Sequence, residues 1–330
     1  MSASDRPLEA VLLAVEPKPD VSAPREDKHA YASRLSRALA VMIASALRPH
    51  FPNIIPTPDD VGHESPTGSA SGRKRLDVKV WDEKLGLELL VSIKTYSFRD
   101  WNGKTKTAGR YTKNIQRNGM ELKDEADVIH RRQPYSVMIA LFFLPIQACD
   151  DGDDNSPQDR GASSFASIVR RLRHRQGRAI DTAERSFDRY DLAEKLYVAL
   201  YEPDDPDDRG SLCFCDVAKN PPRTGRPAKD STLGLDGLAA EIRELVSRRN
   251  TASFHRDVAV AKLPGKPRQS REVGSARNMA EILLLTAKAE ARNANLETAQ
   301  VKIEEAIALI EKIRSRVQTA DFRDSFSASL

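Results

Sequence analysis

Asp77, Ser92 and Lys94 lie on two short runs of alternating residues whose side chains could bind a divalent cation and act on a phosphodiester. In the first run Leu76, Val78 and Val80 share a face, leaving Asp77 and Lys79 on the other. In the second, Leu87, Leu89, Val91 and Ile93 share a face opposite Glu88, Leu90, Ser92 and Lys94. The polar stretch between them ends in Gly86, so the runs read as a β-hairpin that sets an aspartate opposite a lysine. Phosphodiester hydrolysis needs an oxygen-ligated divalent cation, a water held in line, and positive charge for the developing phosphorane. Asp77 and the Ile93 carbonyl are the oxygen donors. Lys94 can orient the water or neutralise charge, with Ser92 hydrogen-bonding nearby. Serine is a poor Mg²⁺ ligand, so a second carboxylate has to come from elsewhere. The plain alternative is a cross-strand charge pair on a half-exposed sheet.

Recognisable elements flank the hairpin. Before it, Tyr31 to Arg48 carries Leu35, Leu39, Met42, Ile43 and Leu47 at helical spacing, and Pro49 ends it. Residues 1–28, with Pro7, Pro17, Pro19 and Pro24 and no sustained period, read as a flexible arm. Residues 51–71 read as a loop. After the hairpin, a helix is expected over 111–132, although Gly119 weakens it by about 1 kcal/mol relative to alanine. The nearly all-apolar run 135–144 has the pattern of a strand buried on both faces. A basic helix over 164–176, strands over 196–201 and 211–217, and a helix over 235–249 complete a core spanning residues 29–250. Residues 251–275 read as a linker. The segment 276–330 reads as helical, with Leu296, Ala299, Ile303, Ile307, Ile310 and Ile313 near a 3.5-residue period through Arg314. Its role is packing on the core or self-association into a homo-oligomer.

Charge is segregated along the chain. Trp101 to Arg117 holds Lys104, Lys106, Arg110, Lys113 and Arg117 without an acid, and Arg170 to Arg178 holds five arginines without one. The acids gather in Asp150–Asp154 and Asp204–Asp208. Either basic run suits a groove that tracks phosphates, or a solvated helix face. No apolar run approaches the roughly 20 residues that cross a bilayer, and Leu8–Val15 lacks the basic flank of a signal peptide. Three cysteines make neither a disulfide framework nor a zinc site. A cytoplasmic protein is expected. No phosphate-binding loop of the Walker type is present. His130 reads as structural, Gln116 and Asn118 as ordinary polar helix positions, and Gly225-Arg226-Pro227 as a fixed turn.

Arg75-Leu76-Asp77, followed by the hairpin and Val91-Ser92-Ile93-Lys94-Thr95, resembles the PD-(D/E)xK superfamily of restriction-endonuclease-like nucleases. The resemblance covers about residues 30–145. There, the helix before the hairpin and the helix and buried strand after it agree with the family's core order. It implies a mixed α+β sheet with flanking helices, here with a C-terminal helical extension. Two departures stand out: no proline precedes Asp77, and Ser92 occupies the place of the usual acid. Some members of the family have serine there and take a carboxylate from the next helix. By that analogy Glu121 is the relocated metal ligand, with Glu125 as the alternative; Glu88 shares the Ser92 face but lies further along the strand from Lys94. Otherwise Glu121 and Glu125 form a solvated face pairing with Arg117 and Lys123.

The resemblance implies a metal-dependent DNA endonuclease of a restriction or phage-defence system. Asp77, Ile93 and Glu121 or Glu125 would hold Mg²⁺ (or Mn²⁺), while Asp77, Ser92, Lys94 and Glu121 would carry the chemistry. Arg73, Lys74, Arg75, Lys104, Lys106, Arg110, Lys113 and Arg117 would hold DNA. The alternatives are a nucleic-acid-binding module of the same fold with a decayed site, and an assembly protein built on its C-terminal helices.

Overall fold

A computed structural model describes residues 6–59, 65–66, 75–82, 86–152, 160–180, 189–260, 298, 300–305 and 307–308. In chain order the elements are α1 (Glu9–Ala14), α2 (Arg25–Leu47), β1 (Ile54–Ile55), β2 (Ser65–Pro66), β3 (Arg75–Leu76), β4 (Val78–Asp82), β5 (Gly86–Thr95), β6 (Trp101–Asn102) and β7 (Thr107–Ala108). They continue with α3 (Ile115–Arg132), β8 (Val137–Pro145), α4 (Ser164–Leu172), β9 (Lys195–Tyr201), β10 (Leu212–Asp216) and α5 (Leu235–Val260). The chain divides into two compact units, residues 1–252 and 253–330.

The first unit is a mixed α/β structure around a six-stranded sheet of order β1-β4-β5-β8-β9-β10. Strands β5, β8 and β9 run parallel, while β1–β4, β4–β5 and β9–β10 are antiparallel pairs. Strand β8 sets the layering, because alternation divides its eight residues from Val137 to Leu144 between two cores. Val137, Ile139, Leu141 and Phe143 pack with α1, α2 and α5, whereas Met138, Ala140, Phe142 and Leu144 pack with α3 and α4. The hairpin forms as expected, with Val78 opposite Val91 and Lys79 opposite Leu90. A bulge at Glu88 then shifts the register, so that Leu87 turns into the α3 core rather than joining Leu89, Val91 and Ile93.

The N-terminal residues are not a loose arm. Leu8, Leu12 and Val15 are buried in the α2 core, and the Leu8 N–H donates to the Gly210 carbonyl at 3.1 Å. Gly210 has φ +84 and its Cα backs onto Glu9, where a side chain would collide with the backbone. Arg6 reaches the Asp207 carbonyl, Arg209 pairs with Glu16, and Lys18 lies 3.4 Å from Asp204. The acidic run 204–208 therefore serves as a dock for the chain's own start.

The basic run 170–178 is likewise spent internally in part. Arg173 donates to the Val217 and Lys219 carbonyls and to Asn220, while Arg178 is buried against Glu194. Helix α5 continues to Val260, so the first ten residues of the expected linker are helical. In the second unit, residues 298, 300–305 and 307–308 are helical, with Val301, Ile303 and Ile307 exposed. The remainder of the linker and of the C-terminal segment lies outside the described residues.

One buried ionic cluster joins both layers at the N-terminal ends of β8 and β9. Glu194 accepts Arg178 Nη1 at 3.0 Å, Arg249 Nη2 at 2.6 Å and the Met138 N–H at 2.7 Å. His130 Nε2 lies 3.3 Å from its other oxygen. Burial works against the Arg178 guanidinium, and Glu194 opposes that effect. Glu194→Ala would leave two buried guanidinium groups without their carboxylate, at a cost of about 3–5 kcal/mol. Urea denaturation should show the midpoint falling accordingly; an unchanged midpoint would mean that the cluster is not what holds α5 to the sheet. Helix α3 runs unbroken through Gly119, where an added Cβ would meet Leu172 Cδ2 at an ordinary 3.8 Å. Gly119→Ala should accordingly raise stability by up to about 1 kcal/mol in the same assay, whereas a loss would show a tighter α3–α4 contact.

Candidate functional site

The ladder between β4 and β5 ends at Val78–Val91, where the backbone bends at Asp77. Continuing the register by one step puts Asp77 opposite Ser92. The Asp77 carboxylate accepts the Ile93 N–H at 2.7 Å, in the place where a ladder carbonyl would otherwise sit. Because a strand residue points its N–H and C=O toward the same neighbour, the Ile93 carbonyl is also directed to the Asp77 side.

The face of β5 that carries Ser92 lies under α3. The helix runs antiparallel to the strand, as two contacts establish. Near its start, Asn118 Nδ2 donates to the Tyr96 hydroxyl at 2.7 Å; two turns later, Ser92 Oγ donates to Glu125 Oε2 at 3.0 Å. Ser92 and Glu125 are both buried, at 1% and 2% exposure, so neither has water as a partner. Burial and the nearby Glu121 push the Tyr96 phenol up while Asn118 pulls it down, with burial prevailing. The α3 helix places Leu122, Ala126 and Ile129 in the core, and Glu125 shares that inward side. Glu121 does not. Its side chain is 39% exposed and accepts Arg117 Nε at 2.8 Å, which is the surface pairing that was the alternative for this residue.

Lys94 follows Ser92 by two residues on the same face and is half-exposed; among the described residues its ammonium makes no hydrogen bond or ion pair. Lys79 shares this face too, as its pairing with Leu90 shows, and burial holds the pKa of its ammonium below the usual lysine range. Alternation alone had placed Lys79 beside Asp77; its partial burial had no signal in the sequence. Glu88 is half-buried at the bulge, further along the strand from Lys94.

The residues expected to hold a polyanion divide into groups. Arg73 and Lys74 lie outside the described residues, and Arg75 lies in β3, paired with β2. Lys104 and Lys106 are exposed on the β6–β7 ribbon. Arg110 is half-buried, with Nη2 donating to the Ala162 carbonyl at 2.6 Å, so it fastens the loop before α3 to the loop before α4. Lys113 stands 4.0 Å from Asp100, and Arg117 is held by Glu121.

Asp77, tied to Ile93, and Glu125, tied to Ser92, are carboxylates fixed on adjacent residues of β5, and with the Ile93 carbonyl they are hard oxygen donors. That donor chemistry fits Mg²⁺, which is characteristically held by one or two carboxylates with waters and phosphate oxygens filling the remaining positions. Among the described residues, no group of three or more histidine, cysteine or acidic side chains converges as a metal cage. Glu125→Gln keeps an acceptor for Ser92 and should melt close to the unaltered protein. Glu125→Ala strands a buried hydroxyl and should lose about 1–3 kcal/mol. Thermal melts of the two variants check this, and equal melting would show that the bond contributes nothing to stability.

Comparison with protein-family models, with curated proteins and with solved structures finds no match to this chain.

Proposed function

We propose that the protein is a metal-dependent DNA endonuclease with a restriction-endonuclease-like core, acting in restriction or defence against foreign DNA. The observation that carries this reading is the buried Ser92–Glu125 bond beside the end of the β4–β5 ladder. It brings a carboxylate from α3 to the strand position where an acid would otherwise be required. In this reading Glu125, the alternative in the sequence, is the ligand from α3 in place of Glu121. The order of α2, the β4–β5 hairpin, α3 and a parallel β8 supports the same reading.

Asp77, Glu125 and the Ile93 carbonyl would hold Mg²⁺ or Mn²⁺, which when bound supplies Lewis-acid polarisation of the phosphate and acidifies water. Asp77 is oriented by the Ile93 N–H, and Ser92 positions Glu125 through its hydroxyl. Lys94, on the same face and without a fixed partner among the described residues, holds the attacking water and balances the charge of the phosphorane. Attack of that water forms one P–O bond as the bond to the leaving ester oxygen breaks; the water's proton passes to solvent and the leaving oxygen takes one up from solvent. Lys104 and Lys106 remain exposed for backbone contacts.

Purified protein with duplex DNA and Mg²⁺ should cut, and Asp77→Asn, Glu125→Gln and Lys94→Ala should each lower the rate by at least about 10²-fold. Glu121→Gln should leave the rate within a few-fold. Undiminished cutting by the Asp77 and Lys94 variants would sink the mechanism, and loss with Glu121→Gln but not Glu125→Gln would return the ligand role to Glu121.

A further inference from the structure

The chain leaves β5 and, before α3, extends a two-stranded ribbon that no core claims. Trp101 pairs with Ala108 and Asn102 with Thr107. Every residue from Asn102 to Gly109 is exposed, so the ribbon does not pack on the body. An isolated two-stranded hairpin is marginally stable, yet this one is ordered by its own polar groups. Asn102 Oδ1 accepts the N–H groups of Lys104 at 3.0 Å and Thr105 at 3.3 Å, and the Lys106 N–H returns to the Asn102 carbonyl at 2.9 Å. Thr105 and Thr107 join their hydroxyls at 2.7 Å. At the base, Asp100 N–H donates to the Arg110 carbonyl, and the Arg110 side chain is anchored on Ala162.

Lys106 closes the turn with φ +55, a left-handed conformation that glycine or asparagine adopts at less cost. A long cationic side chain is thus kept at the tip where a small residue would fold more easily, and it stands two positions from Lys104. From Trp101 to Arg117 there is no acid to neutralise the pair.

We infer that the β6–β7 ribbon is a groove-insertion element for duplex DNA, with Lys104 and Lys106 at its leading edge. This rests on the reading of DNA as the substrate. A two-stranded ribbon fits the major groove of B-form DNA, about 12 Å wide and 8.5 Å deep. From Asp100 the two strand positions rise roughly 7 Å, and the turn 103–106 carries Lys104 and Lys106 beyond them toward the groove floor. The major groove of A-form RNA is too narrow to admit it. The geometry therefore also selects the nucleic acid.

The test measures binding of the full chain, in chelator, to DNA and RNA duplexes of the same sequence and about two helical turns long. Salt dependence is followed for the unaltered protein and for the Lys104→Ala/Lys106→Ala double variant. The double variant should weaken DNA binding at least tenfold and flatten the log–log salt slope by about two. Its RNA binding should stay unchanged. A control variant, Lys229→Ala/Arg243→Ala, removes the same charge from exposed sites elsewhere and should leave the DNA slope intact. Equal DNA affinity and slope for the ribbon variant would overturn the inference while leaving the nuclease reading standing. Equal losses on RNA, or in the control, would also overturn it, as general electrostatics. The expected ribbon result without any Mg²⁺-dependent cutting would keep the ribbon and remove the nuclease.

Discussion

A strand covered by helices on both faces has no water to satisfy a polar side chain, and β5 is such a strand from Leu89 to Ile93. That constraint governs how the surrounding layers are placed. Ser92 is its one polar side chain there, so its hydroxyl requires a partner from the covering layer, and Glu125 supplies it. A bond at that depth fixes more than two side chains. It sets the rotation of α3 about its axis and its height along β5. Leu122, Ala126 and Ile129 are thereby aimed into the core, and Glu121 and Arg117 are left at the surface.

The ionic groups obey the same constraint at the other end of the sheet. Glu194, Arg178, Arg249 and His130 meet where β8 and β9 begin, and guanidinium donors that Glu194 does not take go to the Pro134 and Ala179 carbonyls. Arginines that read in the sequence as a phosphate-tracking run are consumed in this way, or by backbone carbonyls, as Arg173 is at Val217 and Arg110 at Ala162. What stays exposed and cationic is a smaller set, and Lys104 and Lys106 are part of it. The basic surface is thus what remains after the fold has satisfied its own carbonyls and carboxylates.

Legibility in the sequence followed the range of the interactions involved. The apolar run 135–144 and the alternating hairpin are local patterns, and they became β8, β4 and β5 near the expected positions. The N-terminal segment was opaque because its six-residue helix is too short to show a sustained period between prolines. What buries Leu8, Leu12 and Val15 includes the turn at Gly210, far along the chain. The bulge at Glu88, which reverses Leu87, left no trace in an otherwise regular alternation. Spacing put Glu121 and Glu125 on one flank of α3, and the resemblance put Glu121 first. The helix's antiparallel course over β5 buries Glu125 against Ser92 and leaves Glu121 at the surface, which is a tertiary fact.

The two carboxylates of the candidate site do not carry equal weight. Asp77 has a structural occupation without any metal, since it completes the ladder by accepting the Ile93 N–H. A chain that needed only a sheet would keep it for that reason. Glu125 has a structural partner as well, the buried Ser92 hydroxyl, but it holds that partner at greater burial. An alanine at 92 under a leucine at 125 would fill the same layer without the desolvation of a carboxylate, and exchanges of that kind are often neutral or stabilising. The hydroxyl needs the acid's oxygen and the desolvated acid needs the hydroxyl, so the pair is retained or replaced together. The use proposed above for that acid is to hold a cation beside Asp77, with Lys94 two residues beyond Ser92 on the same face.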